Sequence, residues 1–353
     1  MKKNFKNKKS PVTIKDIAEL AGVSVTTVSH ALSGERYVKE ETKQKILKII
    51  NENKYRPNVI ARSLTKKASK TIGVILPDLN NPIYTKILKG AESETVKDDY
   101  ILVISSTYYN AATEADQIDR LNTLFADGFL FIGGSKDTGH LEKANIRNLP
   151  AVLVFRWAAE DKYPKVLIDN RKAISQVVDY LAGLGHKNIG YIGWIDESTV
   201  DSDNKYSGYL DGLNKNNLIL NEKNVFLKKD IMTNEYDESY NILNNYLKSG
   251  KKLYMSALIC KNDNIALGSL EAFKVNNLKV PQEISIIGFG NTDHSQYSSP
   301  RLSTVSVPLE QMGSAGARLL LNAISGKKIK KETIYFDTSI LNRETLISLK
   351  NDT

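Results

Sequence analysis

Cysteine is nearly missing from this chain: Cys260 stands alone among 353 residues, so no disulfide can form within it and no cysteine-built zinc site can exist. Histidine is scarce too. The four present are widely scattered, and no cluster of side chains with metal-ligand spacing surrounds any of them. No apolar run approaches the roughly 20 residues of a membrane span, and the basic opening, residues 1–9, leads into no stretch that resembles a signal-peptide core. Familiar α/β enzyme motifs are also missing. There is no Gly-rich loop followed by Lys-Ser/Thr and no Gly-x-Ser-x-Gly, and Gly288-Phe289-Gly290 is too short for a dinucleotide fingerprint. These absences argue against an enzyme, a membrane protein or a disulfide scaffold, and predict a soluble cytoplasmic protein without metal or cofactor.

What is present is charge, unevenly placed. The formal net charge is +9, yet residues 1–71 hold 17 lysines and arginines against 6 acids, so the remainder is close to neutral. A basic head on a near-neutral body attracts a polyanion through phosphate neutralisation and counterion release. Nucleic acid is the polyanion that fits. With 41% hydrophobic residues the chain has material for two or three cores and is too long for one ordinary domain.

Within the head, residues 13–32 read as two short helices around a turn. Thr13 with Asp16 three residues on resembles a capping box, and the Asp charge suits a helix start. Ile14, Ile17, Ala18 and Ala21 share one helical face, Gly22 supplies the turn, and Ser24 caps a second helix. On that second helix Val28 and Leu32 fall on one side, and Thr26 and His30 on another. After the Ser33–Arg36 turn, Ile46, Leu47, Ile49 and Ile50 mark a third helix over residues 40–53 that can cover the first two. Arg56-Pro57 ends the unit. The segment 59–65 is too short for a stable free helix, and 66–70 is a polar basic bridge.

Thr-Ile-Lys-Asp-Ile-Ala (13–18), Gly-Val-Ser (22–24), Thr-Val-Ser-His (27–30) and Ala61-Arg62-Ser63-Leu64 together resemble the lactose-repressor family of bacterial transcription regulators, and the likeness runs through nearly the whole chain. It implies an all-α helix-turn-helix head, a hinge helix that orders on the operator, and an α/β body with parallel sheets in the two-lobed form of periplasmic binding proteins. In the hinge, Leu64 matches a leucine that pries open a minor-groove step. Thr26 and His30 then become base-edge readers, with Val25 against a thymine methyl. Thr13, Ser24, Thr27, Ser29 and Asn58 suit phosphates, and Arg62 joins the DNA-contacting set.

From residue 71 the pattern alternates apolar strands with amphipathic helices, as parallel sheets covered on both faces require. Strands are predicted at 71–76, 101–105, 129–132, 151–155, 189–192, 257–260 and 284–289, and helices at 83–98, 113–126, 172–184, 235–248 and 262–276. The expected divisions are a disordered tail at 1–12, the head at 13–56, hinge and linker at 57–71, and the body at 72–345. The resemblance puts about 72–165 and 306–325 in lobe one, and about 166–291 and 333–340 in lobe two.

Ligands in such sheets bind beyond the carboxyl ends of the strands. In the loops there, Asp78-Leu79-Asn80-Asn81-Pro82-Ile83-Tyr84 resembles the family's Asp-x-x-Asn-Pro-aromatic-aromatic segment, which makes Tyr84 a stacking residue. Arg156 sits where sugar-responsive members place an arginine, although the preceding Asp is Phe155 here. Lys205 replaces a usual arginine and loses its bidentate fork. Asp263, in Asn262-Asp263-Asn264-Ile265-Ala266-Leu267-Gly268, matches the family's ligand carboxylate or caps its helix. Gly290 replaces another frequent Asp. Cations kept and acceptors lost predict an anionic effector such as a sugar phosphate rather than a plain disaccharide. The alternative is control by a protein partner, as in the catabolite-control branch, which also carries lysine at the Lys205 position. Gly185-His186-Lys187 reads as structural.

The expected function is a repressor acting as a homodimer on a near-palindromic double-stranded operator, controlled by a small sugar or sugar phosphate in the interlobe cleft. A dimer rather than a tetramer is expected, since only a few, mostly polar residues are seen after Asn342-Arg343-Glu344-Thr345. An α/β enzyme leaves no motif to carry it, and a free sugar-binding protein leaves the basic head without a use.

Overall fold

The computed structural model describes residues 12–33, 36–55, 69–124, 126–134, 138–144, 147–158, 162–195, 204–229, 234–328 and 333–350. The basic tail before Val12 and the hinge residues Asn58, Arg62 and Leu64 lie outside that set. The chain divides into two compact units at Ser69 and Lys70.

The first unit is three helices, α1 (Ile14–Ala21), α2 (Val25–Ser33) and α3 (Glu40–Glu52). Thr13 caps α1 with the expected reciprocal box: its backbone N–H donates to Asp16 at 2.9 Å, and its Oγ1 accepts from the Asp16 N–H at 3.4 Å. Gly22 has φ +67°, a left-handed turn residue that glycine adopts without strain. The Thr27 N–H donates to Ser24 Oγ at 3.0 Å, so Ser24 caps α2. Ile17, Ala18, Ala21, Val28, Ala31, Ile46, Ile50 and Tyr55 form the core.

The second unit holds two six-stranded sheets. In the first lie β1 (Thr71–Leu76), β2 (Ile101–Ser106), β3 (Gly128–Ile132), β4 (Ala151–Val154), β5 (Lys165–Ile168) and β11 (Thr333–Phe336), in the order β11-β5-β4-β3-β1-β2 and all parallel. The second, in the order β12-β10-β9-β8-β6-β7, holds β6 (Ile189–Trp194), β7 (Val225–Lys228), β8 (Ala257–Cys260), β9 (Ser285–Phe289), β10 (Ser303–Ser306) and β12 (Ser339–Leu341). Only β12 runs antiparallel, against β10. Helices α4 (Pro82–Thr95), α5 (Ala111–Thr123), α6 (Gly139–Ala144) and α12 (Leu309–Ile324) belong with the first sheet. With the second go α7 (Asn170–Gly183), α8 (Lys205–Lys215), α9 (Glu235–Lys248), α10 (Asp263–Val275) and α11 (Asp293–Tyr297).

Three lobe assignments change. The strand at 165–168, expected at the boundary, pairs with β4 in lobe one, and the chain crosses only after it. Residues 333–340 are two strands, of which 333–336 joins β5 in lobe one and 339–341 joins lobe two. At 306 the chain is still leaving β10 of lobe two, and only α12 belongs to lobe one. Pairing partners far along the chain decide these positions, and local patterning carries no signal of them. The helix faces close tightly: a Cβ on Gly313 would stand 1.9 Å from the Ile87 carbonyl oxygen, and one on Gly90 1.9 Å from that of Glu310. Backbones that close need glycine at both points.

Candidate DNA interface and interlobe cleft

In the head, α2 turns Val28 and Ala31 inward, at 0% and 6% exposure, and leaves Thr26 and Ser29 exposed with Val25 beside them. Thr27 is half-buried, and its hydroxyl meets Ser24 Oγ at 2.8 Å. His30 is half-buried, with Nδ1 shut off from solvent and unpartnered among the described residues. Thr13 is exposed, its hydroxyl donating to Asp16 at 2.8 Å. Thus Val25, Thr26 and Ser29 share one open face without a packing duty.

In the body, a cavity of about 260 Å³ collects the carboxyl ends of strands from both sheets. A larger one of about 1030 Å³ adjoins it, sharing Asn81, Tyr109 and Glu235, and continues between Asp78 and Asn80 on one side and Leu267, Lys274 and Tyr297 on the other. The smaller one has the position expected of a ligand site. Its walls include Tyr84, whose hydroxyl lies 3.4 Å from that of Tyr109; burial pushes the Tyr109 phenol up to about 12.

Arg156 lines this cavity but does not serve it as expected. It is 1% exposed, and its fork holds Glu114 at 2.5 and 3.3 Å. Glu114 also meets His140 Nε2 at 2.7 Å. Burial opposes ionisation of Glu114, but the bonds from His140 and Arg156 outweigh it and hold its pKa below the ordinary value. Arg156 is therefore one half of a buried ion pair. The sequence reading missed Glu114. A signal existed, because it stands four and seven residues before Ile118 and Leu121, an acid on the apolar stripe of α5.

Lys205 lies where expected. Its ammonium donates to the Lys261 carbonyl at 3.0 Å and sits 3.9 Å from the centre of the Phe289 ring. Lys261, unforeseen, donates to the Trp194 carbonyl at 3.2 Å and stands 3.6 Å over the Trp194 ring. Asp263 departs from expectation. Asn262 is the N-cap of α10, and Asp263 follows it, fully buried and outside the residues that line the cavity. One Asp263 oxygen accepts from the Thr292 N–H and hydroxyl at 2.7 and 3.0 Å, the other from Thr304 at 2.5 Å. Burial raises its pKa against those bonds.

The cavity's carboxylates are instead Asp169 and Glu235; Glu235 accepts from Asn262 at 2.6 Å, Asn264 at 3.3 Å and Trp194 Nε1 at 3.5 Å. Burial raises its pKa, opposed by the same donors. Asn170 also lines the cavity, with its Oδ1 shut off from solvent and unpartnered among the described residues. Arg171, also on the wall, is paired with Asp211 at 2.5 Å. Both arginines of the cavity are thus paired with carboxylates, and Lys205 and Lys261 on its wall are matched in number by Glu235 and Asp169, which leaves no cationic surplus for an anionic ligand. Among the described residues no cluster of His, Cys, Asp or Glu is placed to hold a metal ion, and no helix is long and apolar enough to cross a membrane.

His186 is structural, as expected. Its Nε2 meets the Ile347 carbonyl at 3.1 Å and its Nδ1 the Ser256 hydroxyl at 2.9 Å. A carbonyl can only accept, so Nε2 carries the proton.

Comparison with known proteins agrees with both halves. Residues 13–58 match bacterial regulatory proteins of the lacI family, and residues 178–346 match a periplasmic binding protein-like domain. The chain is 31% identical over 335 residues to the HTH-type transcriptional regulator RegA of Clostridium saccharobutylicum, a match covering 95% of this chain and 99% of that protein. It is 30% identical over 339 residues to the ribose operon repressor of Haemophilus influenzae, covering 96% and 99%. The crystal structure of the lac repressor dimer bound to operator and the anti-inducer ONPF shares the fold, with a TM-score of 0.82 at 23% identity over 96% of this chain and 100% of that one.

Proposed function

Because the chain belongs to the lacI family of bacterial regulatory proteins, which are DNA-binding transcription regulators, we propose that it represses transcription as a homodimer on a near-palindromic operator. The observation that carries this reading is the open face of α2. Val25, Thr26 and Ser29 project from a helix otherwise committed to the head's core, as a recognition helix in the major groove requires. Thr26 reads a base edge and Val25 meets a thymine methyl, while Thr13, Ser24, Thr27 and Ser29 hold phosphates. His30 is a base reader through the part of its ring that remains open. Asn58, Arg62 and Leu64 complete the contact set from the hinge. Two copies place two such helices on two half-sites.

The body senses a small carbohydrate-like molecule between its lobes. Support comes from the aromatic wall, the Lys205, Glu235 and Asn170 side chains facing the cavity, and the kinship with a repressor of a ribose operon. With both arginines paired and the two lysines of the wall matched by Glu235 and Asp169, a neutral, hydroxyl-bearing effector fits better than the phosphate ester first expected. The effector acts through its different affinity for two lobe arrangements.

Selection from a random duplex pool at near-physiological salt tests the reading. A symmetric consensus is expected, released or tightened by a neutral sugar. Adhesion without a consensus that disappears with salt would refute sequence-specific regulation. A sugar phosphate acting at lower concentration than its neutral parent would refute the effector class alone.

A further inference from the structure

On α4, Ile83 and Lys86 stand three residues apart and share a face, and both meet one turn of the other lobe. Ile83 packs against the backbone of Gly290, whose Cβ, were there one, would stand 3.5 Å from Ile83 Cδ1. The Lys86 ammonium donates to the Asn291 carbonyl at 2.8 Å and pairs with Asp293 at 2.8 Å. Neighbouring Lys89 is engaged within its own lobe, by Glu310 at 2.8 Å. The turn that receives Lys86 is firmly fixed. Thr292 gives both its donors to Asp263, and the second Asp263 oxygen ties the same turn to Thr304 on β10. Arg343 holds the Asn291 side-chain oxygen at 2.7 Å. Asp263, singled out by its motif and absent from the cavity wall, thus spends one oxygen on this turn and the other on the strand beside it.

We propose that Lys86 and the 290–293 turn form a latch that fixes the arrangement of the two lobes, with Asp263 as the residue that positions the turn. The proposal deepens, and rests on, the reading of the body as an effector-responsive pair of lobes. An effector that needs another arrangement must release Lys86, so the strength of the latch enters the effector's apparent affinity. Lys86 is 22% and Asp293 68% exposed at the side chain, and a pair so open shifts an equilibrium by about two- to fivefold. The latch therefore biases the lobes without locking them.

Spin labels at Asp119→Cys on lobe one and Lys251→Cys on lobe two, both exposed positions, report the interlobe distance in the full, DNA-free chain. Native Cys260 is fully buried. Lys86→Met and Asp293→Asn are each expected to shift or broaden the distance distribution with an unchanged thermal transition, and the swap Lys86→Glu with Asp293→Lys to restore part of it. Asp263→Asn gives the same shift; if that variant does not fold, the two surface variants carry the test. Distances unchanged in both surface variants, or moved further by the swap than by either single change, would overturn the latch. Operator binding measured on the same samples separates the two readings. A chain that binds no operator sinks the regulator and leaves the distance result standing, whereas normal operator binding with unmoved distances sinks the latch alone.

Discussion

Removing the Arg156 charge leaves the buried Glu114 carboxylate of lobe one with the His140 ring but without its guanidinium. Breaking a buried pair from one side costs about 3–5 kcal/mol, so Arg156→Met should lower the urea midpoint sharply, and adding Glu114→Gln should recover much of the loss. A variant that folds as stably as the wild type but no longer responds to effector would instead return Arg156 to the ligand. His186 supplies a pH dependence. Burial lowers its pKa below the ordinary 6.5, so the unfolded chain takes up a proton that the folded one resists. The stability held above pH 6.5 is therefore lost as pH falls below it, until the folded value is passed. Urea midpoints at pH 8 and pH 5.5 should fall further apart in the wild type than in His186→Gln; equal gaps would show that another group carries the acid sensitivity. Neither role can be read from spacing. Glu114 lies 42 residues before Arg156, and Ile347 lies 161 residues after His186.

Among the elements, α1 and α2 were the most legible because their signals are local: caps, a glycine turn and a 3.6-residue stripe within 20 residues. The short strands were least legible. Four residues such as Lys165–Ile168 show no period of their own, and their lobe is set by hydrogen bonding to β4 and β11. The contact of α4 with α12 depends on two glycines. Gly313→Ala drives a methyl into the Ile87 carbonyl, and overpacking of this kind costs about 1–3 kcal/mol. A matching drop in unfolding free energy is expected, with the isolated head unfolding as before; an unchanged midpoint would mean that the helices separate freely.

For the whole molecule, the free edge of the first sheet bears on assembly. β2 ends that sheet and leaves Ile101 and Ile104 at 62% and 40% exposure, a surface that a soluble protein normally covers. If a second copy covers it, Ile101→Lys should weaken dimerisation by about tenfold or more in sedimentation equilibrium, since a buried aliphatic side chain contributes roughly 1.5–3 kcal/mol, and operator affinity should fall with it. An unaltered dimer would place the interface elsewhere. The sequence by itself determined the basic helical head, the polar face of its second helix and the alternation of the body, because charge, caps and hydrophobic period act between near neighbours. Only the tertiary structure decided which lobe owns each late strand, that Arg156 and Asp263 are held by partners within their own lobes, and that Glu235 and Asn170 face the cavity. Those facts depend on contacts between residues tens to hundreds of positions apart, and no local pattern encodes which buried polar group another will meet.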